Sequence, residues 1–425
     1  MTDKCFPSLT PNVSLPKPMT ALEPGSWAYD TVIRRWPEIG QRIFEENDLA
    51  LPIMQRIDAL IADIPEAPIR TIKDPGAPDL RLWNRDIRVH AGKNWLEPPW
   101  FFTEHYFYRR VIEAIGYFRF AEGEGLDPFS FQKKQGLEVS RVAIKELITR
   151  VADLEYAGDD PETVIELLYL DLWGNQADLS MWPAEGDAKP DHDDLGEARE
   201  FLLEDRSGEV AEYLIETYQV SNSLEGLMID FLIDNAGFEL VNDLVLADFL
   251  LSKKIAGIVR FHVKPHPTYV SDATVKDVSD TLEILKAEAN SQVSAFGSRM
   301  IDFWGQNRLQ IQPNFFWTSP LPGWDMPLPL KSDISQSDLV ISKGDANYRR
   351  LLGDLHWPTT TPFADILAYF PAPVVALRTV KAEIACGMQP GQAEYIAVKD
   401  PNWMIDGRWG MVQFGGVRTK DKDSG

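Results

Sequence analysis

Cysteine is almost missing from this chain. Only Cys5 and Cys386 occur in 425 residues, far apart and in no CxxC spacing. That excludes a disulfide scaffold and a structural zinc site built on thiolates, and it suits a reducing compartment. Histidine is nearly as scarce, with six residues. His192 stands among aspartates with no second His or Cys nearby, and His262 and His266 straddle Pro265 in extended chain. Neither arrangement makes a metal site, and both later histidines are expected to be structural. Basic residues are short as well: 42 Lys and Arg against 65 Asp and Glu, a formal charge of −23. Such a field repels nucleic acid and anionic membrane, so neither is expected as a partner. No apolar run reaches the length of a membrane span, and the proline-cut start, MTDKCFPSLTPNVSLPKPMT, lacks the apolar centre of a signal peptide. A cytoplasmic protein is expected, with the nucleus also open to it.

What is present is ample material for packed cores: 44% hydrophobic residues and 11% aromatic. The length suggests two packed regions. Residues 1–25, rich in proline, read as an extended arm. Residues 26–222 show helical spacing throughout and no convincing strand, 223–418 mix strands with helices, and 419–425 form a polar, disordered tail. Within the helical region the segment 93–119 is unusually aromatic. It reads as a core helix with snorkelling Arg109 and Arg110 in preference to an anion site or ligand platform. Residues 127–155 read as one long helix, and 65–85 as a Pro- and Asp-rich loop. Asn175, Gln176, Asp178 and Ser180, between Trp173 and Trp182, are candidates for a place near an active site. Capping and turn chemistry are the alternative.

The second region is organised around 227–251, LMIDFLIDNAGFELVNDLVLADFLL. An apolar run broken only by Asp230 fits a strand buried on both faces. It stops at Asp234-Asn235-Ala236-Gly237, and apolar residues then recur at spacings of three and four, as on a helix. A carboxylate and an amide thus follow the end of a strand, where ligands collect in open α/β sheets. An Asx turn or a helix cap is the alternative. Further strands are expected at 256–263, 309–312, 337–341, 373–377 and 409–414. An aromatic, Pro-rich loop at 313–328 suits a rim or lid.

Polar clusters follow four of these strands: Asp234-Asn235, Asp272, Lys343-Gly344-Asp345 and Arg378 with Lys381. In a parallel sheet all four lie along one edge. Asp234, Asn235 and Asp272 then form a hard-oxygen set suited to Mg²⁺ or Mn²⁺. Arg378, Lys381 and the amides of residues 344–347 complement a phosphoryl group.

Several long strings add a resemblance. DNAGFELVNDLVLADFLL, YVSD at 269–272, SKGDANYRRLLGD and RTVK, with WFFTEHYFYRR, DPFSFQKK and LWGNQADLS upstream, resemble the metal-dependent damage-control phosphatases, subfamily III in particular. The resemblance spans nearly the whole chain. It implies an α/β fold: a three-layer α/β/α, doubly wound sheet domain with an N-terminal all-helical region. It also implies a divalent metal (Mn²⁺, Ni²⁺, Co²⁺ or Mg²⁺) on Asp234, Asn235 and Asp272. Those three and Lys381 would be catalytic, with substrate contacts on Gly344, Asp345, Ala346, Asn347, Tyr348 and Lys381, to which the residue pattern itself adds Arg378. The implied substrate is a small phosphorylated metabolite such as fructose 1-phosphate. In-line attack by an activated water is the expected mechanism, with Asp234 or Asp272 as a covalent nucleophile the rival.

Two other functions stand beside this one. S-adenosylmethionine-dependent methylation of protein glutamate carboxyls is linked to the same family. Such enzymes usually carry a Gly-rich turn after a strand, and the only similar string, Glu122-Gly123-Glu124-Gly125, follows a helix. A non-catalytic binding protein would have lost a metal ligand or Lys381, and all are present.

Overall fold

One seven-stranded sheet runs through the computed structural model, which describes residues 10–119, 122–154, 161–174, 199–221 and 226–416. Its strands are β1 (Leu202–Asp205), β2 (Leu227–Leu232), β3 (Ala256–Val263), β4 (Leu309–Pro313), β5 (Leu339–Lys343), β6 (Pro373–Thr379) and β7 (Gly410–Gly416). They lie in the order β1-β7-β6-β5-β2-β3-β4, and only the β6–β7 pair is antiparallel. β5 and β6 are buried at every position, which is why their sequences are continuous apolar runs with no alternation. Asp230, the single charge in the β2 run, faces Arg260 on β3 through two hydrogen bonds of 2.5 and 2.7 Å.

Helices cover both faces. On one side lie Arg141–Leu154, Pro161–Trp173, Ser207–Ser221, Phe238–Ser252, Val275–Lys286 and Ser291–Gly305. On the other, Trp36–Glu46, Leu51–Asp63, Trp100–Ile115 and Gly344–Leu352 pack with Val340, Val374 and Ala376 of the sheet. The architecture is therefore three-layer α/β/α with a helical N-terminal region whose helices enter both outer layers.

The aromatic segment is core. Trp36 stacks on Phe107 at 4.4 Å and on Trp100 at 5.6 Å. Burying each such ring stabilises by about 1.5–3 kcal/mol. Arg109 and Arg110 do not snorkel as expected: both are buried, Arg109 held by Asp79 at 2.7 Å and Asp74 at 3.1 Å and Arg110 by Glu113 at 2.8 Å. Arg109 thereby draws the acidic segment around Asp74 and Asp79 onto the helix; the loop expected over 65–85 ends at Asp79, where the helix Leu80–Ile87 begins. The proline-rich arm lies on the body from residue 10 onward, with Pro18 bridging to Leu355 and Thr20 to Pro99.

Further expectations about the fold need correcting. Residues 26–222 do contain a strand, β1, pairing with β7 at the sheet edge. The helix expected over 127–155 is two, Ser130–Val139 and Arg141–Leu154, parted at Ser140. The loop at 313–328 is no cavity rim: Phe316 and Trp317 are buried in the core, and the Trp317 carbonyl accepts from Arg350 at 3.0 Å. Among the described residues no helix is long and apolar enough to cross a membrane.

Candidate active site

Two turns at the carboxyl edge of the sheet are stitched together. The Ala273 amide donates to the Asp234 carbonyl at 2.8 Å, and the Ala236 amide to the Ser271 carbonyl at 2.7 Å. The result is an isolated antiparallel bridge between Asn235 and Asp272, residues from the ends of β2 and β3. Asn235 donates its amide to Glu239 at 2.8 Å and to Asp234 Oδ2 at 3.2 Å, while Ser271 Oγ donates to Asn235 Oδ1 at 2.6 Å.

The two carboxylates are buried side by side. Burial pushes the Asp234 carboxyl well above its ordinary range. Lys264 opposes that shift, and Asp272, Glu239 and Asp345 add to it. Asp272 shifts the same way, again from burial, with Lys264 opposing. Lys264 Nζ donates to the Ile233 carbonyl at 2.7 Å and lies 3.1 Å from Asp272 Oδ2 and 3.6 Å from Asp234 Oδ1. Asp234 Oδ1 is buried and accepts no hydrogen bond among the described residues. An orphaned carboxylate oxygen beside a second carboxylate and an amide fits a hard divalent cation. No three His, Cys, Asp or Glu side chains cluster as ready metal ligands among the described residues. The candidate set therefore needs the Asn235 amide oxygen beside its two carboxylates.

These residues line a cavity of about 310 Å³. Asp234, Asn235, Asp272, Asp345, Ala346 and Lys381 all reach it. Gly344, Asn347, Tyr348 and Arg378 stand behind its wall. Gly344 has φ +76°, and a Cβ there would overlap the Asp234 carboxylate, so glycine is what lets the helix start against the site. Asn347 donates to the carbonyls of Leu232, Ile233 and Lys343 at 3.0–3.2 Å, tying the end of β2 to that helix. The Tyr348 hydroxyl donates to Gln413 at 2.7 Å, and its ring lies 4.2 Å beneath the Arg378 guanidinium. Arg378 donates to Asp345 at 2.8 Å, to the Ile384 carbonyl at 2.6 Å and to the Ala382 carbonyl at 3.1 Å. Its buried guanidinium thus fixes Asp345 and the chain just past Lys381 and does not enter the cavity.

Lys343 also turns inward. It closes β5, where a turn was expected, and donates to Asp171 Oδ1 at 2.6 Å, with Asp243 at 3.2 Å. Burial opposes its charge, yet Asp171, Asp243 and Glu239 together raise its pKa.

Lys264 was not singled out from the sequence, and the far wall only through the strings WFFTEHYFYRR and DPFSFQKK, with no role assigned to its residues. That wall comes from the helical region: Trp27, Thr31 and Arg35, then Glu104, Tyr108 and Lys133. Lys133 clamps it by pairing with Asp277 at 2.8 Å and Asp127 at 2.9 Å. Tyr269, which precedes Asp272 by three residues, donates its hydroxyl to Glu104 at 3.1 Å and so joins the two regions. Asn175, Gln176, Asp178 and Ser180 lie outside the described residues.

Residues 31–396 match the damage-control phosphatase ARMT1-like domain. A Danio rerio protein named damage-control phosphatase ARMT1 is 33% identical over 94% of this chain and 97% of its own length. Its namesake from Xenopus laevis is 34% identical over 79% and 80%, and the one from Homo sapiens 29% over 95% and 99%. With the family match spanning both the helical wall and the sheet edge that carries Asp234, Asn235 and Asp272, the chain belongs to the ARMT1-like damage-control phosphatases, a family of phosphomonoester hydrolases.

Proposed function

We propose that this protein is a metal-dependent phosphatase of small phosphometabolites, sugar phosphates such as fructose 1-phosphate among them, working with Mn²⁺, Ni²⁺, Co²⁺ or Mg²⁺. The observation that carries the reading is the orphaned, buried oxygen of Asp234 beside Asp272 and Asn235 at the cavity. Asp234, Asn235 and Asp272 would hold the cation. When bound, it supplies Lewis-acid polarisation of the phosphoryl oxygens and activation of water.

The chain does the rest. Glu239 holds the Asn235 amide nitrogen, so the amide cannot turn freely. Lys381 brings positive charge to the cavity for the phosphoryl oxygens, and the first amides of the helix beginning at Gly344 add partial positive charge. Lys264 offsets the two carboxylates from behind. Tyr108 and Tyr269, rings 4.9 Å apart, give the cavity an apolar side that limits water. A cavity of about 310 Å³ is large enough for a small metabolite. The string at 122–125, the one feature that suggested methyl transfer, does not line this cavity.

The test is a panel of sugar phosphates incubated with protein stripped by EDTA and re-supplied with each metal, run beside S-adenosylmethionine carrying a labelled methyl group. Metal-restored phosphate release without methyl incorporation is expected. Methyl incorporation with no phosphate release would overturn the proposal.

A further inference from the structure

Arg35 lines the cavity without an ion pair among the described residues. It ends a five-residue π-helical turn, Thr31–Arg35, set between the helices Trp27–Asp30 and Trp36–Glu46. π turns give up regular helix hydrogen bonding and are frequent at functional sites. Trp27, Thr31, Arg35, Glu38 and Arg42 recur every three or four residues and share the face toward the cavity.

The other charges on this wall are matched. Arg42 pairs with Glu46 at 3.2 Å, Glu38 with Arg34 at 3.1 Å, and Lys133 with Asp127 and Asp277. Arg349 pairs with Glu104 at 2.6 Å and Asp354 at 2.9 Å. Arg35 has no hydrogen bond or ion pair among the described residues. It lies over the Trp27 ring, 5.9 Å from its centroid, and its charge also reaches Asp30, whose hydrogen bonds go to Arg34. Tyr108 registers its charge across the cavity: burial and Glu104 push that phenol upward, Arg35 pulls it down, and Asp272 pushes it up again. Arg35 and Asp272 therefore act on one hydroxyl from different walls.

We propose that Arg35 binds a second anionic group of the substrate, so that the preferred substrates are phosphomonoesters with a carboxylate or another phosphate remote from the scissile one. Phosphorylated sugar acids and sugar bisphosphates are that class. This rests on the phosphatase reading above, in which the metal ligands and Lys381 take the scissile phosphoryl group. A guanidinium from another wall is then left for the far end of the molecule, and its fork matches a carboxylate or phosphate.

The experiment compares 6-phosphogluconate with glucose 6-phosphate, and fructose 1,6-bisphosphate with fructose 1-phosphate. Each is measured as kcat/KM and as calorimetric binding, for wild type, Arg35→Gln and Arg35→Lys. Wild type should favour the doubly anionic member of each pair. Arg35→Gln should lose about 10- to 100-fold on that member alone, mostly in KM and Kd, with partial recovery in Arg35→Lys. No preference in wild type would overturn the proposal, as would an equal loss on all four ligands. If wild type hydrolyses none of them with any metal, the phosphatase reading fails, and the binding comparison still decides the role of Arg35. Preference for the sugar acid alone would assign the second group as a carboxylate, and for the bisphosphate alone as a phosphate.

Discussion

Lys264 Nζ sits 3.1 Å from Asp272 Oδ2, both side chains buried, and reaches Asp234 Oδ1 at 3.6 Å. Two adjacent buried carboxylates repel, and this ammonium is the largest charge opposing that repulsion, with Lys133 and Arg350 adding less at Asp272. Removing one member of a buried charge set leaves the others uncompensated. Lys264→Met should destabilise the EDTA-treated protein by about 3 kcal/mol. Added Mn²⁺ should then raise its melting temperature more than that of wild type, because the metal takes over the neutralisation. Equal metal-induced shifts in the two proteins would contradict this arrangement.

Gly344 is required twice over, by its φ of +76° and by the Asp234 carboxylate that a Cβ would overlap. Gly344→Ala is expected to cost more than about 1 kcal/mol of stability. It should also weaken metal binding, read as a smaller Mn²⁺-induced thermal shift. A variant that loses stability but keeps the full shift would separate the helix start from the metal set.

Lys343 answers Asp171 and Asp243 inside the protein, away from substrate. Lys343→Met should cost about 3–5 kcal/mol in urea unfolding, since it strands two buried carboxylates. A cost below about 1 kcal/mol would mean that those groups are protonated or hydrated without it.

His266 supplies a pH dependence. Burial lowers its pKa to about 4, with Asp79 opposing and Arg109 reinforcing the shift. The unfolded chain takes up this proton near pH 6.5 and the folded chain only near 4. Its contribution is therefore fully present above pH 6.5 and is lost as the pH falls through that window. The loss is about 1.4 kcal/mol per pH unit, roughly 3 kcal/mol in all. Urea unfolding at pH 7 and pH 4.5 should show a smaller pH loss for His266→Phe than for wild type. Identical losses would place the proton elsewhere.

How far the sequence could be read follows from where each signal lies. β2, its polar stop and the next helix were legible because a two-faced apolar run, an abrupt turn and helical spacing are all local. β3 was legible for the same reason, and expected and observed bounds coincide at 256–263. β1 was not: four residues at a sheet edge, Leu-Leu-Glu-Asp, suit a helix as well as a strand, and only pairing with β7 decides. The aromatic loop resembled a lid because proline and glycine mark it as irregular, whereas Phe316 and Trp317 anchor it in the core.

That Asp234, Asn235 and Asp272 come together at one cavity was legible because they follow strands on the same sheet edge. Arg378 was expected to face substrate, and nothing in RTVK tells that its guanidinium would be used up on Asp345 and two carbonyls. The far wall could not be read from spacing at all. Glu104 and Tyr269 meet across 165 residues of chain, and Arg35 faces the cavity only once the helical region has packed against the sheet edge.

The most direct test of the central claim is phosphate release from fructose 1-phosphate by EDTA-stripped wild type and Asp234→Asn, each re-supplied with Mn²⁺, Ni²⁺, Co²⁺ or Mg²⁺. The variant keeps the shape of the side chain and removes a buried charge, so its circular dichroism and metal-free stability should be retained or improved. Wild type should be silent after stripping and recover with metal, while Asp234→Asn should stay at least about 1,000-fold lower in kcat/KM, a loss of about 4 kcal/mol of transition-state stabilisation. Release that survives EDTA, or a folded Asp234→Asn variant as active as wild type, would contradict the account.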